Sequence, residues 1–153
     1  MLEFTLKQQG KIKRLTNKTF QLDQRYKDGF FSAAYFLKTE EIIKEYHPNN
    51  TVTIQFFQRK HSILCGIDEA IALIHTFAKN PQDLYIEALN DGDEISPLEP
   101  VLKITGRYQD FGFLEGPIDG ILARRTSVAS NCRRIIEAAN GVPVIFFGDR
   151  DDD

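Results

Sequence analysis

Apolar positions recur along the chain with two periods, one near 3.6 residues and one near 2, and the longest regular pattern lies in the last third. Ile118, Ile121, Leu122, Val128, Ala129, Cys132, Ile135, Ile136 and Ala139 keep helical spacing. Pro117 suits the first turn of that helix, and Asn140-Gly141 supplies its C-terminal stop. Residues 68–79 predict a second amphipathic helix, with Ile67, Ala70, Ile71, Ile74, Phe77 and Ala78 on one face and Asn80-Pro81 closing it. Thr39 followed by Glu40 and Glu41 predicts an N-cap with acidic first-turn residues, in a helix that stops near His47 because Pro48 follows.

Strand signals fill the middle. Residues 51–57 are β-branched and aromatic, residues 84–89 and 101–105 read the same way, and Asn90-Asp91-Gly92-Asp93 is a turn. Phe30 to Leu37 is an aromatic and apolar run that suits either a buried strand or a helix. Residues 142–147 are continuously apolar with Pro143 near their start, which predicts a strand buried on both faces. A helix leading into such a strand is half of an α/β unit, so the chain reads as the N-terminal part of a larger α/β protein. Residues 1–28 are polar and lysine-rich and read as short strands or an arm.

Composition narrows the function classes. Nineteen Lys+Arg against 22 Asp+Glu gives a net charge of −3, which argues against a nucleic-acid partner. The longest apolar stretches are too short to span a bilayer, so no membrane partner is expected, and no targeting segment is visible. The sparse pair Cys65 and Cys132 reads as reduced thiols in a cytoplasmic protein.

No P-loop, GxGxxG, HExxH, CxxC or GxSxG spacing occurs, and His47, His61 and His75 are scattered, so neither catalytic residues nor a metal site can be assigned from spacing. The hairpin signal at Asn90 to Asp93 has the shape of a biotinyl or lipoyl carrier but lacks the lysine that carrier chemistry needs. Two cationic clusters remain. Gln58-Arg59-Lys60-His61 follows the first strand, and Arg124-Arg125-Thr126-Ser127 lies in the long helix, with Arg150 after the last apolar run. An Arg at a strand end can bind a carboxylate or phosphate through two parallel hydrogen bonds. The same residues equally suit a solvated salt-bridge face.

Six segments, in order, resemble nicotinate phosphoribosyltransferase, in its shorter, archaeal-type branch. They are Tyr35-Phe36-Leu37-Lys38-Thr39, residues 64–69, Thr105-Gly106-Arg107-Tyr108-Gln109-Asp110-Phe111-Gly112, residues 114–122, residues 126–130, and Phe146-Phe147-Gly148-Asp149-Arg150. The resemblance implies a type II phosphoribosyltransferase, which joins nicotinate to phosphoribosyl pyrophosphate with ATP and Mg²⁺. It also implies an α+β N-terminal sandwich domain with a small β-barrel over residues 1–112. The first helix and strand of an α/β barrel would then occupy residues 113–153. By the same resemblance Tyr35 stacks on the pyridine ring of a neighbouring subunit in a homodimer or higher oligomer, Arg150 lies beside the substrates, and Thr126 and Ser127 face them. The chain departs from that pattern at Ala33, where an Asp is usual, and at Asp151-Asp152-Asp153, where an Arg and a His are usual.

Two alternatives stay open. Quinolinate phosphoribosyltransferase takes an acceptor with a second carboxylate and usually carries an Arg-Thr pair where this chain has Gly116-Pro117. A non-catalytic binding or interaction module would keep the sandwich domain alone.

Overall fold

The computed structural model describes residues 14, 15 and 17–148. Its elements run α1 (Ala34–Tyr46), β1 (Thr51–Phe57), β2 (Ser62–Ile63), α2 (Ile67–Phe77), β3 (Tyr85–Ala88), β4 (Glu94–Ile95), β5 (Pro100–Arg107), α3 (Tyr108–Phe111) and α4 (Glu115–Ala139). Short 3₁₀ turns at Asn17–Thr19, Gln24–Asp28, Pro81–Asp83 and Gly112–Leu114 join them. The fold is mixed α+β.

The central strand is β5, which alternates buried and half-buried positions from Leu102 to Arg107 and pairs on both edges. It runs antiparallel to β1, with Thr51 opposite Arg107 and Phe56 opposite Leu102, and to β3, with Tyr85 opposite Thr105. Thr53 and Thr105 share a cross-strand hydroxyl contact of 2.8 Å. β2 and β4 form a separate antiparallel pair. Among the described residues the strands make two small sheets, one of three strands in the order β1-β5-β3 and one of two.

Helix α2 is apolar on nearly every side and sits at the centre of the core, where Ile67, Leu73 and Ile74 meet Ile86, Leu102, Ile104, Phe111 and Ile118. Its N-terminus has no cap of its own, since Gly66 there adopts φ 101°. The cap comes from the β3–β4 turn: Asp91 accepts hydrogen bonds from the Ile67 and Asp68 backbone N–H groups at 2.8 and 3.3 Å. Arg14 locks the same corner by donating to Asp68 at 2.7 Å, to the Leu89 carbonyl at 2.9 Å and to the Asn90 side-chain oxygen at 2.6 Å.

Three expectations are corrected. Helix α1 starts after Ala33, five residues before Thr39. Thr39 is interior, and its hydroxyl donates to the Tyr35 carbonyl at 2.8 Å. The ambiguous aromatic run thus divides into a turn through Phe30 and Phe31, entered by Gly29 at φ 68°, and a helix from Ala34. The run 142–147 pairs with no strand among the described residues, and Val142, Val144, Ile145, Phe146 and Phe147 are exposed. A doubly buried strand needs neighbours on both edges, and this segment has none among the described residues. Half of the arm expected over residues 1–28 lies outside the described residues; residues 17–28 supply two 3₁₀ turns where strands were considered.

Candidate functional site

The long helix α4 organises every surface with candidate chemistry. Its first half belongs to the core through Ile118 and Leu122, and it ends in the left-handed Asn140, with φ 46°, followed by Gly141. Midway along, it grips an extended segment. Thr126 Oγ1 accepts from the Cys65 N–H at 3.2 Å and donates to the Cys65 carbonyl at 3.1 Å. One turn later Ser130 Oγ accepts from the Ile63 N–H at 2.9 Å and approaches the Ile63 carbonyl at 3.5 Å. Residues i and i+4 of a helix lie about 6 Å apart along its axis, and residues i and i+2 of a strand about 6.6 Å, so the two repeats match. The two hydroxyls act on β2 and the residues after it as a neighbouring strand would.

Of the residues singled out from the sequence, Thr126 and Ser127 border one groove and Tyr35 lies apart from it. Thr126 is buried, and its hydroxyl serves Cys65. Ser127, its neighbour, is exposed and lines a groove of about 550 Å³ with Gln58, Lys60, His61, Arg133 and Arg134. Arg133 is engaged there by Glu94 at 3.3 Å and Glu137 at 3.9 Å. Tyr35 stands 63% exposed in the first turn of α1, its ring 4.1 Å from that of buried Phe36, and lines neither this groove nor the cleft described below. Arg150 lies outside the described residues. Arg125 forms an ion pair with Glu69.

Around Tyr35 the surface is aromatic and acidic. Burial first, then the charges of Glu115, Tyr35 and Glu40, push the Tyr108 phenol up to about 12. The Tyr108 ring also occupies the space over Gly112, where a Cβ would come to 2.4 Å from the ring, so any larger residue at 112 would have to displace Tyr108. Burial, with Asp119 as the second cause, holds the Glu115 carboxyl above its ordinary 4.5, and burial alone raises Asp119 above 3.8. A raised carboxyl binds its proton more tightly in the folded chain than in the unfolded one. Stability from this pair is therefore full at low pH and is lost as pH rises through the raised values. Glu115→Gln should shift the thermal midpoint at about pH 7 upward relative to that at about pH 4, compared with the wild type. An unchanged difference between the two midpoints would mean that Glu115 is fully solvated.

A larger cleft, of about 940 Å³, runs along the other flank of α4 and is bordered by Tyr26, Phe31, Gly120, Arg124, Arg125 and Phe146. Tyr26 and Phe31 are in ring contact at 4.6 Å, and Tyr26 reaches the core through Phe77 at 5.7 Å. Arg25 stacks on Phe30 and Phe31 at 4.7 and 5.0 Å, and Asp23 fixes its guanidinium through both carboxylate oxygens. Burial first and the Glu69 charge second raise the Tyr26 phenol. The sequence pattern gave no signal for this wall, because its aromatics lie in an irregular segment without a period.

Among the described residues no group of three or more His, Cys, Asp or Glu side chains is placed to hold a metal ion. No helix is long and apolar enough to cross a membrane among those residues.

Residues 33–126, well over half of the chain, match the family model described as quinolinate phosphoribosyl transferase, N-terminal domain. The chain belongs to this family. The matched stretch holds Tyr35 and Thr126, whereas Ser127 and Arg150 lie beyond it. Nicotinate-nucleotide pyrophosphorylase from Pyrococcus furiosus shares 27% identity at a TM-score of 0.76, over 93% of this chain and 36% of that one. NadC from Streptococcus pyogenes aligns at 18% identity and a TM-score of 0.62, over 76% of this chain and 40% of that one. Human nicotinic acid phosphoribosyltransferase aligns at 14% identity and a TM-score of 0.62, over 76% of this chain and 30% of that one. The last two likenesses show the fold alone. The chain spans between 30% and 40% of the length of these solved structures. None of the curated proteins matches it. This family membership places the chain as the N-terminal domain of a type II phosphoribosyltransferase.

Proposed function

We propose that this domain serves an enzyme that joins nicotinate to phosphoribosyl pyrophosphate, giving nicotinate mononucleotide and pyrophosphate with ATP coupled to the step. In that reaction a bond forms between the pyridine nitrogen and C1 of the ribose as the C1–O bond to pyrophosphate breaks. Mg²⁺ and ATP bind, in this reading, to parts of the enzyme outside the described residues. The observation that carries the reading is the family match over residues 33–126 together with Tyr35, exposed in the first turn of α1 and free to reach a neighbouring subunit of a homodimer. Arg150, just beyond the described residues, is assigned as an anion partner for the substrates, and Ser127 faces them from α4. Thr126 enters this reading as the residue that holds the Cys65 segment in place beside them.

Quinolinate is the second acceptor to weigh, because the matching family and the Pyrococcus furiosus relative carry names connected with it. The first turn of α4 favours nicotinate. Gly116 and Pro117 bring no cation where the sequence comparison expects an Arg for a second carboxylate, and Glu115 beside them is acidic.

The experiment is a direct competition of nicotinate against quinolinate in the complete enzyme that carries this domain, with phosphoribosyl pyrophosphate, ATP and Mg²⁺ supplied. Nicotinate should be consumed and quinolinate left, and preference for quinolinate would overturn the reading. In the same enzyme Tyr35→Ala should raise the nicotinate KM roughly 2- to 13-fold, the worth of one ring stack, with the thermal midpoint kept. A collapsed midpoint with unchanged KM in the surviving protein would make Tyr35 a packing residue. Arg150→Lys should fail to restore activity, since Lys offers a point charge and not a planar fork.

A further inference from the structure

We infer that the pocket between the end of β1 and α4 is a binding site for a free α-amino acid with an apolar side chain. That side chain sits on Phe56, Val101 and Leu122, with the carboxylate at Arg59 and the ammonium at Asp119. This is a separate site and does not depend on the phosphoribosyl-transfer reading. It begins with an irregularity in the sheet. β1 and β5 pair residue for residue up to Phe56 opposite Leu102, and the next pair is Phe57 opposite Pro100, so Val101 is left over. An extra residue of this kind bends its strand and re-aims a side chain. Val101 and Leu102 are both buried, which breaks the alternation that the rest of β5 keeps, and Val101 lines the pocket.

The pocket measures about 260 Å³ and reaches the core, since Phe56, Leu64, Ile95, Val101 and Leu122 line it and all five are buried. Interiors elsewhere pack closely, and a dry cavity of about 150 Å³ among such side chains takes up benzene. Sites for drug-sized ligands begin at about 300 Å³, so this one suits a branched or aromatic side chain. Water gains little there, because Thr126, the buried polar residue of the lining, has its hydroxyl committed to Cys65. The charged residues of the lining, Arg59 and Asp119, are both exposed and stand at the mouth. Neither side chain enters an ion pair or hydrogen bond among the described residues. Burial alone raises the Asp119 carboxyl, so no cation among those residues neutralises it. A ligand with one charge satisfies one of these groups and repels the other: a plain carboxylate meets Asp119, and a plain amine meets Arg59. A zwitterion with both charges on one carbon satisfies both, and its third substituent is what the pocket holds. Phe57, 47% exposed, adds an aromatic wall for that substituent.

The test is titration of the full chain with leucine and, separately, with phenylalanine, followed by calorimetry and NMR shifts. Leucinamide and N-acetylleucine each keep one charge, and they also stand for the first and last residues of a peptide. Glycine keeps both charges and lacks the apolar body. Saturable binding of leucine or phenylalanine is expected, with each one-charge analogue about tenfold weaker and glycine not bound, because all three contacts contribute. Ala123→Leu, on the exposed face of α4 at the pocket, should abolish binding and keep the thermal midpoint, since leucine is a good helix former and its side chain fills the space. Arg59→Gln should weaken leucine about tenfold and leave leucinamide unchanged, and Asp119→Asn should weaken leucine by as much and leave N-acetylleucine unchanged. Absence of saturable binding by both amino acids, full binding by Ala123→Leu, or a one-charge analogue as tight as leucine would each overturn the assignment. None of these results touches the phosphoribosyl-transfer reading, which the acceptor competition decides by itself.

Discussion

Thr126→Val lowers the thermal midpoint by roughly 4–12 °C, from a loss of about 2–3 kcal/mol. Valine keeps the β-branched shape and the volume, so the change isolates the hydroxyl. That hydroxyl satisfies both the N–H and the carbonyl of Cys65, and with it gone two inward-facing backbone groups lose their partner. A buried group left unpaired costs about 1–3 kcal/mol, more than the bond itself contributes. Thr126→Ser retains the hydroxyl and should cost well under half as much. Ser127→Ala, on the exposed next position, should stay within about 0.5 kcal/mol of wild type. Thermal scans of the three variants check the ordering. A Thr126→Val midpoint equal to that of Ser127→Ala would show that the helix does not hold the Cys65 segment.

The pair Thr126-Ser127 also shows how far the sequence could be read. The period of α4 was legible because its apolar residues bury one stripe, and its end was legible because Asn140-Gly141 adopts left-handed geometry. Strand β1 and helix α2 were legible for the same kind of reason, one regular pattern per element. The role of Thr126 was not, since the group that needs its hydroxyl is 61 residues away in sequence. The cap of α2 escaped likewise, because Asp91 comes from a turn and Gly66 offers no side chain. Thr39 misled in the opposite direction. Its N-cap signature is local and sound, but Phe36 is buried against α3 and the turn after it, and this packing extends the helix to Ala34. Tertiary contacts overrode propensity there. Of the candidate site, the cationic pair Arg124-Arg125 could be seen in the sequence, whereas its aromatic counterpart required the fold to bring Tyr26 and Phe31 to the same cleft.

The chain at micromolar to millimolar concentration should associate with further copies of itself through residues 142–147. Ile145 is 75% exposed and Phe147 79% exposed, and Ile135 and Ile136 on the last turns of α4 add apolar surface nearby in sequence. Contiguous patches of this kind beyond a few hundred Å² are uncommon on soluble monomers. The segment is also without strand partners among the described residues, so its backbone offers a second route to pairing with another copy. Ile145→Asp with Phe147→Asp should return the chain to a monomer in sedimentation at roughly 100 µM, where the wild type sediments as a dimer or larger. Because both side chains are mostly solvated in the single chain, the double variant should keep the wild-type midpoint within about 1 kcal/mol of stability. A wild type that stays monomeric at that concentration would show the exposed run to be covered within the chain itself. A double variant that stays associated would place the interface elsewhere, with exposed Phe30 and Tyr35 the next residues to substitute.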